Sequence, residues 1–274
     1  MIMDGKTLKN KLKNGEKVYG TLIVSTSPKW LDVIDKIGLD FVFIDTEHIP
    51  IDRDRLSWMC HGYQGKGLVP IVRIPSPDPY LACMVIDGGA RGVVAPYIET
   101  AEEVRQLSGA VKNRPIKGRK LQNHLMGTQN FEPALQAYLT HHNEQHICIA
   151  NIESLSALEN LDEILAVPGL DVVLIGPHDL SCNLGIPEQY NHPDFLSAVE
   201  TIITKARSAG VGAGIHVFYD NAIEQELLWL KMGANFVLHS GDINRFTQGM
   251  REDIHALRSE MGDTIEITAS DVNI

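Results

Sequence analysis

The chain has 274 residues, 44% of them hydrophobic, and a formal net charge of −11 at pH 7. This length suits one large domain or two small ones, with enough apolar residues for a sizeable core. The acidic balance and the lack of a basic cluster argue against a nucleic-acid partner, because Lys and Arg must neutralise the phosphates.

The cysteines and the N-terminal segment predict a cytoplasmic protein. No two cysteines form a CxxC pair, so we expect buried free thiols in a reducing compartment. The first 18 residues are charged throughout and lack the apolar core of a signal peptide. No apolar stretch approaches the ~20 residues that span a bilayer, so we expect no membrane partner. The cysteines are Cys60, Cys83, Cys148 and Cys182.

Eight short apolar runs recur along the chain, and each predicts a β-strand. They are nearly continuous rather than alternating, which is typical of strands covered on both faces of a parallel sheet. The predicted strands are 19–25, 40–45, 69–74, 92–97, 147–153, 171–176, 211–217 and 235–240.

Amphipathic segments separate these strands, and several end at a glycine that stops the helix. Eight βα units in ~250 residues predict a (β/α)8 TIM barrel, with a single domain over residues 1–262. A doubly wound open sheet is the alternative, but the chain has no GxGxxG or Walker sequence after its first strand. The predicted helices include 28–37, 52–63, 99–111, 154–166, 193–209 and 220–232.

Two further segments lack a regular pattern. Residues 111–132 are irregular and rich in Lys, Arg, Gly and Asn, and we expect a long loop on the catalytic face of the barrel. Residues 263–274 are predicted to form a polar and loosely held tail.

Glu153 and Asp179 follow two apolar runs that lie about one βα unit apart. Strand ends at this spacing can direct two carboxylates to one point, where water or substrate oxygens complete a site for a hard divalent cation. The alternative is that each acid only caps the helix that follows it.

More polar residues follow the other predicted strands. In a barrel the active site forms at the carboxyl ends of the strands, so these side chains are candidates for catalysis or binding. Alone, each has a structural alternative as a capping, salt-bridged or turn residue. The candidates are Asp45 and His48 at the end of strand two, Arg73 at the end of strand three, Asp87 on the next helix, Asn151 at the end of strand five and His178 after strand six.

These motifs, in this order, resemble the HpcH/HpaI aldolase family of the pyruvate- and phosphoenolpyruvate-utilising superfamily. The resemblance covers roughly residues 5–255. It rests on the segments Phe-Ile-Asp45-Thr-Glu47-His48, Pro-Ile-Val-Arg73, Ile-Asp87-Gly-Gly-Ala-Arg-Gly, Asn151-Ile-Glu153 and Ile-Gly-Pro-His-Asp179-Leu-Ser.

The resemblance implies a metal-dependent (class II) aldolase that cleaves 4-hydroxy-2-oxo acids into pyruvate and an aldehyde. By resemblance, Glu153 and Asp179 bind Mg²⁺, Mn²⁺ or Co²⁺, and a homohexamer exchanges helices between subunits. The implied catalytic residues are Arg73, which stabilises the enolate, His48, which is the acid/base, and Asp87, which raises the basicity of His48. The implied substrate-binding residues are Asp45, Arg73, Asn151, His178 and Asp179.

The chemistry of these residue types is consistent with that reaction. A metal acts as a Lewis acid on the keto oxygen, and a fixed guanidinium such as that of Arg73 adds donors where charge develops. Histidine is the side chain suited to proton transfer near neutral pH, so His48 could take the hydroxyl proton. No lysine ends a predicted strand, which argues against Schiff-base chemistry.

The chain departs from the family pattern at three places. Asn151 stands where relatives usually have Gln, and His178 stands where they usually have a small residue. The loop 115–119 only partly matches the family's Pro/Gly/Arg-rich loop. These departures affect the expected substrate more than the expected chemistry.

Two other functions stay open at this point. A lyase of the same superfamily could act on a malyl- or citramalyl-CoA thioester, which requires a basic groove, and only 112–120 offers one. Alternatively, the barrel could be a binding protein without turnover, which would be marked by a broken metal pair or a lost arginine.

Overall fold

A computed structural model describes residues 3–219 and 222–263. Eight parallel strands close into a barrel in which each strand pairs with the next along the chain and β8 pairs with β1. The prediction of a (β/α)8 barrel is confirmed. The strands are β1 (Val18–Leu22), β2 (Phe41–Asp45), β3 (Val69–Arg73), β4 (Gly92–Ala95), β5 (Ile147–Asn151), β6 (Val172–Ile175), β7 (Gly212–Val217) and β8 (Phe236–Gly241).

Helices surround the barrel and return the chain from the carboxyl end of each strand to the amino end of the next. The first seven are α1 (Gly5–Lys13), α2 (Lys29–Ile34), α3 (Arg53–Gly65), α4 (Pro79–Asp87), α5 (Ala101–Lys112), α6 (Gly118–Leu125) and α7 (Pro133–His142). The others are α8 (Leu155–Glu159), α9 (Leu161–Leu165), α10 (Pro177–Asn183), α11 (Pro193–Ser208), α12 (Ala222–Met232) and α13 (Asp242–Met261).

The barrel interior is filled by side chains from alternate strand positions, as expected for this fold. Phe41 and Phe236 stack there with ring centroids 4.4 Å apart. Leu8 and Leu12 of α1 are buried in the same interior cluster. The first helix therefore closes the amino end of the barrel, and the functional cavity lies at the other end.

Local sequence signals explain where the helices begin. Thr100 and Glu103 form a capping box at α5, in which each side chain accepts a hydrogen bond from the other residue's backbone N–H. Asp78 accepts hydrogen bonds from two N–H groups at the start of α4, and Pro79 occupies its first turn. These caps fix where α4 and α5 begin after the loops at the carboxyl ends of the strands.

Several predicted boundaries differ from the structure. Five of the predicted strands extend too far at their carboxyl ends, including the first and the fifth, where Ile23 and Ile152 are fully buried after the strand has ended. The predicted helix 154–166 is two short helices that meet at Asn160. Most of the tail predicted for 263–274 lies outside the described residues.

The expected position of residues 111–132 was wrong. This segment follows α5 and precedes β5, so it lies at the amino ends of the strands, opposite the catalytic face, and residues 118–125 of it form α6. Of the helices described, none is long and apolar enough to cross a membrane.

Candidate active site

A cavity of about 200 Å³ opens at the carboxyl ends of the strands. Its apolar lining includes Leu22 of β1, Phe43 of β2, Leu174 of β6 and Phe218 after β7. Its polar lining residues are Asp45, His48, Arg73, Asn151, His178, Asp179 and His216. The fold thus gathers six of the residues that the sequence nominated, and it adds His216.

Arg73 and Asp45 form a bidentate ion pair in this cavity. Arg73 Nε donates to Asp45 Oδ1 at 2.9 Å, and Nη2 donates to Oδ2 at 2.6 Å. Burial alone would raise the pKa of Asp45, but the hydrogen bonds and the charge of Arg73 lower it overall. The pair fixes the plane of the guanidinium and leaves its other N–H groups for a ligand.

Two buried oxygen atoms beside this pair have no hydrogen-bond donor within the described part of the chain. They are Glu47 Oε2 and Asn151 Oδ1. Glu47 Oε2 lies 3.1 Å from Arg73 Nε, which donates to Asp45 instead. Buried polar atoms are normally satisfied, so these two oxygens indicate a place for a cation, a water or a substrate group.

Glu153 and Asp179 are held by neighbours from the loop after β4, from β5 and from α10. Glu153 accepts hydrogen bonds from the Tyr97 N–H at 2.7 Å and from Asn151 Nδ2 at 3.0 Å. The Tyr97 hydroxyl donates to Asp179 Oδ1. Asn183 Nδ2 donates to the backbone carbonyls of Glu153 at 3.2 Å and Asp179 at 3.0 Å. The ends of β4, β5 and β6 are tied together through these contacts.

The pKa values of Glu153 and Glu47 are raised, first by burial and then by the negative charges of neighbouring carboxylates. The pKa of Glu153 is raised to about 7, chiefly by burial, with a further contribution from the charge of Asp179. Burial also raises the pKa of Glu47, and the charges of Asp45 and Asp179 add to this effect. Arg73 opposes the shift at both Glu153 and Glu47. A bound cation would relieve this repulsion.

The residues present fit the divalent metal that the resemblance implies. Carboxylate and amide oxygens are the ligands that hard cations prefer, and Glu153, Asp179 and the free Asn151 oxygen supply them. Over residues 3–219 and 222–263, no three His, Cys, Asp or Glu side chains are grouped as a ready-made metal site. Water or substrate oxygens would therefore complete the coordination.

Gly176 leaves the space that the Glu153 carboxylate occupies. A Cβ at position 176 would lie 2.1 Å from Glu153 Oε2, although φ of −85° there is accessible to any residue. Gly176→Ala should therefore displace the carboxylate and weaken Mn²⁺ binding strongly, while the barrel stays folded. Calorimetric titration with Mn²⁺ measures the effect. Gly65→Ala, where a Cβ would meet nothing within 4 Å, is the matched control. Unchanged Mn²⁺ affinity in Gly176→Ala would contradict this prediction.

Three histidines line the cavity in different environments. The His48 side chain is 47% exposed and its Nε2 lies 3.7 Å from Glu47 Oε2. His178 is exposed on α10, and its Nδ1 lies 3.8 Å from Glu188 Oε1. His216 has its Nε2 3.1 Å from the Ser240 carbonyl oxygen, and burial lowers its pKa to about 4. His216 is therefore neutral near pH 7, and its Nε2 donates to the carbonyl.

Within one chain, Asp87 does not pair with His48 as the resemblance implied. Asp87 ends α4, which runs back to the amino ends of the strands, whereas His48 follows β2 at their carboxyl ends. The Asp87 carboxylate forms an ion pair with Arg114. The helix direction explains the difference, because only the start of such a helix lies near the catalytic face.

Some residues of the site were not nominated from the sequence. Glu47 was part of a quoted motif but received no role. Tyr97 contributes through its backbone N–H and a distant hydroxyl, which no local pattern indicates. Asn183 stands four residues after Asp179 in α10, and this helical spacing could have suggested it. Gly176 contributes only by lacking a side chain.

The model of the HpcH/HpaI aldolase/citrate lyase family matches residues 19–247 of this chain. The chain belongs to this family. Its barrel also superposes on a crystal structure of an HpcH/HpaI aldolase from Desulfitobacterium hafniense with a TM-score of 0.78 and 27% sequence identity. That comparison covers 96% of this chain and 98% of the other.

Two curated members of the HpcH/HpaI family are similar over nearly their whole length. The 2-keto-3-deoxy-L-rhamnonate aldolase of Klebsiella pneumoniae is 31% identical over 95% of this chain and 96% of its own. The hydroxypyruvate/pyruvate aldolase of Roseovarius nubinhibens is also 31% identical, over 93% of this chain and 97% of its own.

Proposed function

We propose that this protein is a divalent-metal-dependent aldolase that reversibly cleaves a 4-hydroxy-2-oxo acid into pyruvate and an aldehyde. The observation that carries the proposal is that Arg73, Asp179 and His48 line one cavity, and that Asn151, which also lines it, donates a hydrogen bond to the Glu153 carboxylate. The curated relatives, which are aldolases by name, support the same reaction.

In this proposal Glu153 and Asp179 hold the cation, and Asn151 lies beside them. The bound cation, which is Mg²⁺, Mn²⁺ or Co²⁺, would act as a Lewis acid toward the 2-oxo group. Asn151 Nδ2 already donates to Glu153, so its free Oδ1 can contact the cation, a water or the pyruvate half. The shorter amide suits a contact through water better than the Gln of relatives would.

Arg73 stabilises the charge that develops when the carbon–carbon bond breaks. Asp45 fixes two of its five N–H groups, so the remaining donors keep their direction as the keto oxygen becomes an enolate oxygen. No reorganisation of the guanidinium is then needed during the reaction, which is the advantage of a preorganised donor. Asp45 therefore acts through Arg73.

His48 takes the proton of the 4-hydroxyl group in the cleavage direction. Its side chain is half-exposed at the mouth of the cavity, on the side where the aldehyde would leave, whereas Arg73 is 14% exposed. Glu47, 3.7 Å away, stabilises the protonated imidazole. His178, which is bulkier than the small residue of relatives, narrows the cavity near the same end.

The proposal is tested by incubating the protein and pyruvate with a panel of aldehydes and Mg²⁺, Mn²⁺ or Co²⁺, and by measuring aldol product. We expect product with at least one aldehyde, loss of product with EDTA, and recovery when metal is restored. Exchange of the pyruvate methyl protons with deuterated water reports enolate formation without any aldehyde. Absence of both exchange and product would contradict the proposal.

The structure favours neither alternative function. The basic segment 112–120, which a CoA thioester would require, lies at the amino ends of the strands, far from the cavity. The carboxylate pair and the arginine are intact, so nothing marks a barrel that has lost its activity. We also propose a cytoplasmic location, which the four free cysteines support.

We propose that the chain assembles with itself, as a homohexamer by family resemblance. Helix α13 carries a stripe of exposed apolar side chains spaced three or four residues apart, which one subunit leaves uncovered. The stripe consists of Ile243, Phe246, Met250, Ile254, Leu257 and Met261.

Two glutamates placed in this stripe should break the assembly. In the double variant Phe246→Glu, Leu257→Glu, charges replace side chains that are 63% and 64% exposed, so the fold should survive while the contact is lost. Light scattering after gel filtration should show a lower mass, approaching the 30.3 kDa of one chain. The control is the double variant Gln248→Glu, Ser259→Glu, whose two glutamates have the same spacing along α13 but lie outside the stripe. It should leave the mass unchanged. An unchanged mass in the stripe variant would contradict the prediction.

A further inference from the structure

Tyr97 has a backbone conformation that is unusual for its residue type. It lies two residues after β4, and its φ is 47°, in the left-handed region that bulky residues rarely adopt. Such strain persists only where surrounding contacts stabilise it, and it concentrates at functional sites. This backbone turn directs the Tyr97 N–H at Glu153 Oε1, 2.7 Å away.

The side chain of Tyr97 reaches the second carboxylate. Its hydroxyl donates to Asp179 Oδ1, across the end of β5 and onto the first turn of α10. Within the described residues, this hydroxyl is the one donor to the Asp179 carboxylate. A single residue therefore engages both carboxylates, one through its main chain and the other through its side chain.

We propose that Tyr97 is the positioning residue of the metal site. Two like charges directed at one point repel each other, and within the described residues the Tyr97 hydroxyl is the donor that fixes the Asp179 carboxylate. The Tyr97 N–H fixes Glu153 and the Tyr97 hydroxyl fixes Asp179, so that both stay directed at the cation. Ligating carboxylates usually depend on such outer hydrogen bonds. The inference rests on the metal-binding part of the proposed function and not on the aldol chemistry.

The test uses Mn²⁺ alone, titrated into the full-length protein by calorimetry. Tyr97→Phe removes only the hydroxyl and should weaken Mn²⁺ binding by about 10–100-fold. Tyr97→Gly keeps the N–H and suits the positive φ, so it should weaken binding by the same factor while the melting temperature is unchanged or higher. Tyr19→Phe is the matched control, because Tyr19 is 43% exposed and Tyr97 is 44% exposed. Tyr19 lies at the amino end of the barrel, so its hydroxyl does not contact the proposed metal site.

A kinetic readout separates positioning from direct catalysis. In Tyr97→Phe the Mn²⁺ concentration for half-maximal activity should rise by the same factor as the dissociation constant. The kcat at saturating Mn²⁺ should stay near the wild-type value. A large loss of kcat at saturating metal would overturn the positioning role, since the hydroxyl would then act on the reacting atoms.

Glu153→Gln distinguishes failure of this inference from failure of the metal assignment. In one outcome, Glu153→Gln loses Mn²⁺ binding while Tyr97→Phe binds Mn²⁺ as tightly as the wild type or more tightly. The proposed role of Tyr97 is then wrong, and the assignment of the metal site is retained. If Glu153→Gln binds Mn²⁺ like the wild type, the cation lies elsewhere and both are wrong.

Discussion

Replacing His48 with alanine should lower the rate of aldol cleavage by about 10²–10⁴-fold, the usual contribution of a general acid or base. Mn²⁺ and pyruvate should still bind, because His48 is half-exposed at the mouth of the cavity and its ionic partner is Glu47. The measurements are the cleavage rate under saturating metal and the affinity for pyruvate by calorimetry.

The control for His48→Ala is His141→Ala, whose side chain is 85% exposed on α7 at the opposite end of the barrel. That variant should retain full activity. Normal turnover in His48→Ala would exclude it as the acid/base. A loss of pyruvate binding as severe as the loss of rate would mean that His48 binds the oxo acid rather than acting on the aldehyde half.

Arg73→Lys should lower kcat by about 10²–10³-fold, comparable to the loss of one oxyanion donor. Lysine keeps the positive charge but cannot hold both Asp45 oxygens and also present a fixed donor to the substrate. The variant should retain Mn²⁺ affinity. Steady-state kinetics and metal titration of the same preparation check both statements.

Arg114→Lys is the matched control for Arg73→Lys. Both arginine side chains are 14% exposed and both form an ion pair with an aspartate, but Arg114 lies at the amino ends of the strands. Its replacement should change stability without the large loss of kcat. Near-normal turnover in Arg73→Lys would show that the metal alone stabilises the developing charge.

The barrel was predictable because its strands are buried on both faces and so form continuous apolar runs. The ends of the strands were not, since burial and single backbone hydrogen bonds continue at Ile23 and Ile152, after β1 and β5 have ended. Composition also assigned residues 111–132 to the wrong face. Its charged and glycine-rich sequence resembles a catalytic loop, whereas the face depends on whether a segment follows a strand or a helix.

The position of a site residue was predictable where a polar side chain follows an apolar run, as for Arg73, Glu153 and Asp179, whose chemical roles stay predictions. It was not predictable where the contribution depends on backbone geometry. The proposed positioning role of Tyr97 depends on its positive φ. Gly176 contributes because the Glu153 carboxylate approaches its backbone more closely than a side chain would allow. Within one chain, the direction of α4 places Asp87 at the end of the barrel opposite His48, which the sequence motif alone did not indicate.

Leu8 and Leu12 of α1, which fill the amino end of the barrel, restrict the order in which substrates bind and products leave. Because α1 closes the amino end of the barrel, molecules enter and leave the cavity past His48 and His178 at the opposite rim. In the proposed reaction the pyruvate half lies deeper, against Arg73 and the buried Asn151. In cleavage the aldehyde then departs first and pyruvate last, and in synthesis pyruvate binds first. Pyruvate should accordingly inhibit cleavage competitively with the oxo acid, and the aldehyde should inhibit it noncompetitively.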